Sequence, residues 1–180
     1  MSQKTLDVLK EDYLKHIQRF MSEAGNLFPH LTVFAESKED NKPSIIHVPI
    51  PDDFLNDDES KDLFIDEIAP DMMIEIKKKF YPLGIAWASE AWVRTMDKNA
   101  TEDDLKNYRD LPIKKEVVIV TIESKDQQQC IVYDIIRKGM KVNDEGDLSD
   151  IVELVEDINL KDMSPSTTGR FVGLYKKLNL

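Results

Sequence analysis

Between Glu116 and Glu123 the chain reads EVVIVTIE, a run of apolar and β-branched residues closed at both ends by acids. It is too short for a buried helix, and its β-branched side chains favour a pleated surface. It carries no polar alternation, so both of its faces must be covered, which places it in the interior of a sheet. The polar turn SKDQQ follows, and then a second apolar run, QCIVYDIIRKG (129–139). Two such runs across a short turn read as a hairpin. The chain is therefore committed to a sheet with helices laid upon it.

The other segments supply those helices and more strands. Leu6, Leu9, Tyr13, Ile17, Phe20 and Ala24 recur at spacings of three and four, which predicts an amphipathic helix over 5–24. Thr5 is placed to cap it, and Gly25 follows its last periodic residue. LTVFAE (31–36) and SIIHVPI (44–50) read as strands joined by the turn SKEDNKP. Pro49 cannot donate to a ladder, so the second of these is an edge strand or ends there. Phe64, Ile65, Ile68, Met72, Ile76 and Phe80 mark a second helix behind an acidic lead-in, with Pro70 predicting a kink. A third strand is expected over 83–95, a fourth and fifth in the hairpin, a sixth at IVELVE (151–156), and a short terminal helix over 169–178. This order of elements predicts an α+β domain: one mostly antiparallel sheet of about five or six strands, two main helices packed on it, and a crossover helix between strands two and three. The whole chain, 1–180, reads as a single globular domain, and the polar stretch 98–112 as its flexible loop.

Net charge narrows the function. Acids outnumber bases to give −11 at neutral pH. A general nucleic-acid binder needs a basic footprint, and docking on an anionic membrane needs basic residues too, so neither is expected. The N-terminal stretch is charged throughout and no apolar run approaches a membrane span, so a cytoplasmic protein is expected. The one cysteine, Cys130, lies in an apolar strand and reads as an inert core thiol.

Most chemistry-bearing motifs are missing. The six glycines form neither GxGxxG nor a P-loop. Ser89 is not in a nucleophile elbow, and VNDEGDLSD fails the EF-hand pattern. The three histidines, His16, His30 and His47, have no ligand spacing in sequence, leaving open only a site assembled in space. No cofactor and no metal are expected. Two acids do interrupt apolar strands: Glu90, in GIAWASEAWVR, and Asp134. If their faces coincide, two carboxylates meet, as in a general acid pair or a metal-assisted hydrolase. The alternative is that each is a structural ion, with Glu90 buried and paired with Arg94 on its own face or with Arg137 or Arg170 at long range.

The words ASEAWVR, KKEVVIVTIES, YDIIRKG and GRFVGLY resemble a group of uncharacterised small proteins of bacteria and their phages, over about residues 20–178. That resemblance implies a phage or bacterial origin and no particular activity. The expected function is a non-enzymatic intracellular binding or accessory protein with an unknown protein partner, able to form a homo-oligomer. A hydrolase using Glu90 and Asp134 is the second reading. An acidic inhibitor imitating nucleic acid through 52–67 and 143–157 is the third.

Overall fold

A computed structural model describes residues 3–28, 30–55, 57–94, 101, 113–142, 146, 148–156 and 173–180. The elements run α1 (Gln3–Ala24), β1 (His30–Ser37), β2 (Pro43–Pro49), a 3-10 turn (Asp52–Phe54), α2 (Asp58–Leu63), a π-helical turn (Phe64–Ile68), α3 (Ala69–Lys79), β3 (Phe80–Arg94), β4 (Ile113–Ser124), β5 (Gln128–Val142), β6 (Leu148–Glu156) and α4 (Leu174–Lys177). The expected loop at 98–112 lies, apart from Thr101, outside the described residues.

The class is α+β. Six strands form one sheet in the order β2-β1-β3-β4-β5-β6, and every pairing is antiparallel. β3 to β6 form a meander. Because β1 lies between β2 and β3, the connection from β2 to β3 must cross over β1, and α2 and α3 make that crossing. β2 lies at the sheet's edge, where Pro49 has no ladder bond to lose. The EVVIVTIE run sits in β4, between β3 and β5, with Val117, Val118, Val120 and Ile122 all buried.

Helices cover both faces of the sheet, and period-two alternation divides its residues between them. On one face α1 sets Leu6, Leu9, Tyr13, Ile17 and Met21 against Phe34, Ala86, Ala88, Val118, Val120, Ile122 and Tyr133. On the other, α2 to α4 set Phe64, Ile65, Met73, Leu174 and Leu178 against Leu31, Val33, Ile85 and Trp87. Each fully buried Val, Leu, Ile, Phe or Met among them contributes roughly 1.5–3 kcal/mol.

Several boundaries differ from expectation. α1 begins at Gln3, so Thr5 lies within it rather than at its cap. Met21, and not Phe20 or Ala24, continues the buried stripe, while Phe20 packs edge-on against Phe28. Gly25 takes a φ of +77° and its N–H bonds the Met21 carbonyl, closing the helix. Two cations from β5 complete that end: Lys141 bonds the Ser22 carbonyl at 2.7 Å and Arg137 the Gly25 carbonyl at 3.2 Å. The second helix carries a π-turn just before Pro70, where the Ala69 N–H reaches back to the Phe64 carbonyl. A π-turn shifts the bonding register next to a residue that has no N–H of its own. β3 is longer than expected, and a bulge at Leu83 sets Pro82 opposite Ala35. The terminal helix is far shorter than 169–178. Gly173 stands before it at a φ of +77°, a left-handed conformation that no α-helix continues through.

Candidate functional site

The register settles where the two strand acids point. Glu90 is opposite Val118, and Val118 is opposite Tyr133, so Glu90, Val118 and Tyr133 share the α1 face. Asp134 is the next residue along β5 and points to the other face. The sheet therefore keeps the two carboxylates apart, which overturns the paired-acid geometry. Asp134 accepts a bond from Lys115 at 2.6 Å, both side chains about one-third exposed.

Glu90 is exposed, not buried. Its Oε1 accepts the Leu27 N–H at 2.6 Å, which ties the chain leaving α1 to β3. Arg137 is engaged elsewhere. Its guanidinium holds Glu116 at 2.8 Å and Asp150 at 2.5 Å as well as the Gly25 carbonyl. The Glu116 bond, followed by that of Asp150, raises the Arg137 pKa further. The side chain of Arg94, and the whole of Arg170, lie outside the described residues.

Beside Glu90 an opening of about 390 Å³ is lined by Leu27, Leu55, Lys61, Trp87, Ala88, Ser89 and Glu90. Its origin is topological. β1 pairs with β3 only as far as Leu31 opposite Trp87, so β3 runs on past its neighbour. Among the described residues, no strand pairs with Ala88–Arg94 on that side. The opening thus combines apolar walls, a lysine, an acid and a stretch of strand edge.

A second cluster lies further along the same sheet face. Thr32 and His47 are direct cross-strand partners on β1 and β2. His30 is two residues from Thr32, so it shares their face. α1 crosses above them with Tyr13 and His16, three residues apart on one side of the helix. All three histidines of the chain meet here. The His16 and His47 rings stack with centroids 4.7 Å apart, and the His30 ring stands edge-on to His47 at 5.1 Å. Tyr13 packs edge-on against both His30 and Phe34.

The hydrogen bonds fix part of the proton distribution. His30 Nδ1 lies 2.7 Å from the Phe28 carbonyl. A carbonyl only accepts, so Nδ1 carries a proton, and in the neutral ring Nε2 is then the bare lone pair. That Nε2 is buried without a hydrogen-bond partner, as is the Tyr13 hydroxyl. His47 Nδ1 lies 3.0 Å from the Thr32 hydroxyl. Burial, with the charge of neighbouring His30 and His16, pushes His47 down to about 4. Burial also lowers His16, assisted by His30 and Arg19 and opposed by Glu23. Burial raises the Tyr13 hydroxyl; Thr32 opposes the shift, though the two hydroxyls do not meet in a well-formed bond. These shifts favour the neutral imidazole at His47 and His16. Among the described residues, no group of three or more His, Cys, Asp or Glu side chains is placed so that it could hold a metal ion as it stands.

A third polar feature escaped the sequence reading. Glu123, at the end of β4, is 4% exposed. Its two carboxylate oxygens accept the Gly173 N–H at 2.6 Å and the Tyr175 N–H at 2.9 Å, capping α4 from the sheet. Its position as the closing acid of EVVIVTIE gave no sign of burial, because the covering segment lies 50 residues downstream. The histidine cluster did leave a signal, the shared parity of His30 and Thr32 with the Tyr13–His16 pair on α1. It lacked the register between β1 and β2. Cys130 is buried as expected, and burial raises its thiol pKa. Among the described residues, no helix is long and apolar enough to cross a membrane. Comparison of the chain with protein-family models, with curated proteins and with solved structures returns no match.

Proposed function

We propose that this chain is a non-enzymatic binding or accessory protein of a phage or bacterium, and that it receives a protein partner at the opening beside Glu90. The observation that carries this reading is the overrun of β3 beyond β1, which sets a stretch of strand edge next to an apolar hollow with one cation and one anion at its rim. Backbone edges of this kind recognise an extended segment by adding it as a strand, while adjacent hollows accept alternate side chains. The separation of Glu90 from Asp134 by the thickness of the sheet weighs against the hydrolase reading, which needs them together.

The test is a partner capture made twice, with the wild-type chain and with Ser89→Trp, which adds a large ring to the wall of the hollow. A partner retained by the wild type and lost from the variant, with both chains melting alike, supports the reading. An identical partner set from both overturns it. A hydrolytic activity of the parent that vanishes in Glu90→Gln would replace it with the enzyme reading.

A further inference from the structure

We propose that His16, His30 and His47 form a binding site for one divalent first-row transition ion of the zinc class, with His30 Nε2 as its anchoring donor. The donor set is chemically selective. Imidazole nitrogen suits Zn²⁺, Ni²⁺, Co²⁺ and Cu²⁺, whereas Mg²⁺ and Ca²⁺ require oxygen. Nothing in this inference depends on the opening beside Glu90.

Three features of the cluster point to a ligand. The first is proton placement at His30. A metal-binding histidine usually donates its second ring N–H to a carbonyl or carboxylate, which fixes the tautomer and aims the other nitrogen at the ion. His30 has that arrangement, with Nδ1 on the Phe28 carbonyl. The second is the unsatisfied lone pair. A buried acceptor without a partner is unfavourable, and in the neutral ring Nε2 of His30 is one. The buried Tyr13 hydroxyl beside it is also unpartnered, and it offers an oxygen as a fourth ligand or a bond to a bound water. The third is spacing. Two imidazoles on one tetrahedral ion, at metal–nitrogen distances of about 2.0–2.1 Å, have ring centres about 5 Å apart. The His30–His47 and His16–His47 centres are 5.1 and 4.7 Å apart.

One adjustment is required. His16 and His47 lie nearly parallel, at 24°, so their nitrogens do not yet face a common point. The set therefore requires the His16 ring to rotate about its own side-chain bonds. His16 is half-buried on α1 and His47 is exposed, so this rotation displaces no core residue. Each site component is held by a different element, so an ion here would also fasten α1 to the β1–β2 hairpin.

The probe is Zn²⁺ itself, titrated into the full chain by calorimetry at pH 7.5 and about 150 mM salt, with Co²⁺ as a spectroscopic substitute. The expected result is one ion per chain at micromolar affinity, a melting temperature that rises with added Zn²⁺, and no displacement by millimolar Mg²⁺ or Ca²⁺. Affinity should fall at least tenfold in His47→Ala and in His16→Ala. Both positions lie outside the sealed core, so these variants should keep the wild-type circular dichroism. His30→Gln should abolish binding, and Tyr13→Phe should leave it within a few-fold. Lowering the pH to 5.5 should weaken binding, because protons compete for the same lone pairs. Absence of saturable binding overturns the proposal. So does Zn²⁺ affinity that survives the His16/His47 double alanine variant, since the ion would then sit on the acidic surface.

Discussion

Glu90 and Glu123 use the same device and obtain different results from it. Each stands on a strand and catches the backbone N–H of a distant segment, Leu27 for Glu90 and both Gly173 and Tyr175 for Glu123. Glu90 stays in water, while Glu123 is 4% exposed. A charged acceptor exchanges water for protein donors at little net gain when water remains available. When water is excluded, the same bonds become obligatory, because their loss strands the carboxylate. The acid singled out in the sequence is the one whose bond stays in water.

The largest expected effect follows from that contrast. Glu123→Ala should lower stability by about 3–4 kcal/mol, since two charge-assisted bonds of roughly 1.5–3 kcal/mol each are removed and Leu174 and Leu178 lose their tether to the sheet. Glu123→Gln should cost about half as much, because its amide oxygen still accepts one N–H. Urea unfolding checks both. A loss below about 1 kcal/mol for the alanine variant would mean that α4 contributes little to the fold, and the comparison would collapse.

Arg137 tests the middle of the range, being partly exposed but holding two carboxylates and a helix carbonyl. Its removal should cost about 1–2 kcal/mol, more than a simple surface pair and less than Glu123. Arg137→Lys should recover less than half of that, because an ammonium cannot span Glu116 and Asp150 with the guanidinium's fixed fork. Equal stability of the lysine variant and the wild type would show that only net charge matters at the end of α1.

What the sequence made legible was periodic. The run in β4 announced a central strand, the 3.6 period announced α1, and Pro49 announced an edge, so class, strand count and crossover all followed. Register was not legible. Whether Glu90 meets Asp134 depends on a one-residue offset between β3, β4 and β5, and a single step sends every side chain to the opposite face. Exposure at strand ends was equally hidden, since Glu123 is buried by a helix that begins past Gly173 and Glu90 is bared because β1 stops at its first residues. Local pattern reports what a residue prefers. It does not report what covers it.

The histidine cluster extends the comparison to groups that shed their charge. His47 is held down to about 4 by burial and by His30 and His16, and burial lowers His16 as well, with His30 and Arg19 adding to that and Glu23 opposing it. A folded-state pKa below the unfolded value of about 6.5 means that the unfolded chain binds protons first. Stability is then fully present above pH 6.5 and declines as pH falls toward 4. Because His47 remains partly in water, the loss should be on the order of 1 kcal/mol rather than the full linkage value. Unfolding of the metal-free chain at pH 7.5 and pH 5.0, compared with His47→Gln at the same two values, isolates the effect from the carboxylates. A variant that loses as much stability as the wild type would place the pH response outside the cluster.

The smallest effect belongs to Glu90. Its carboxylate is exposed, it accepts one N–H, and no buried charge is left behind when it is removed. Glu90→Ala should cost no more than about 1 kcal/mol, the net value of one hydrogen bond to a solvated group. Glu90→Gln should fall within about 0.5 kcal/mol of the wild type, because the amide oxygen can accept the Leu27 N–H in the same place. The cost expected of a buried, arginine-paired glutamate would be several-fold larger, since removing one partner of such a pair typically takes about 3–5 kcal/mol. The two accounts therefore differ by more than the error of a urea titration. Hydrogen exchange at the Leu27 amide gives a finer reading of the same contact. In Glu90→Ala this amide should exchange faster while those of β3 and β4 keep their protection, so the loosening would be confined to the chain that leaves α1. If protection fell across β3 as well, Glu90 would be holding the sheet together and would belong with Glu123 after all.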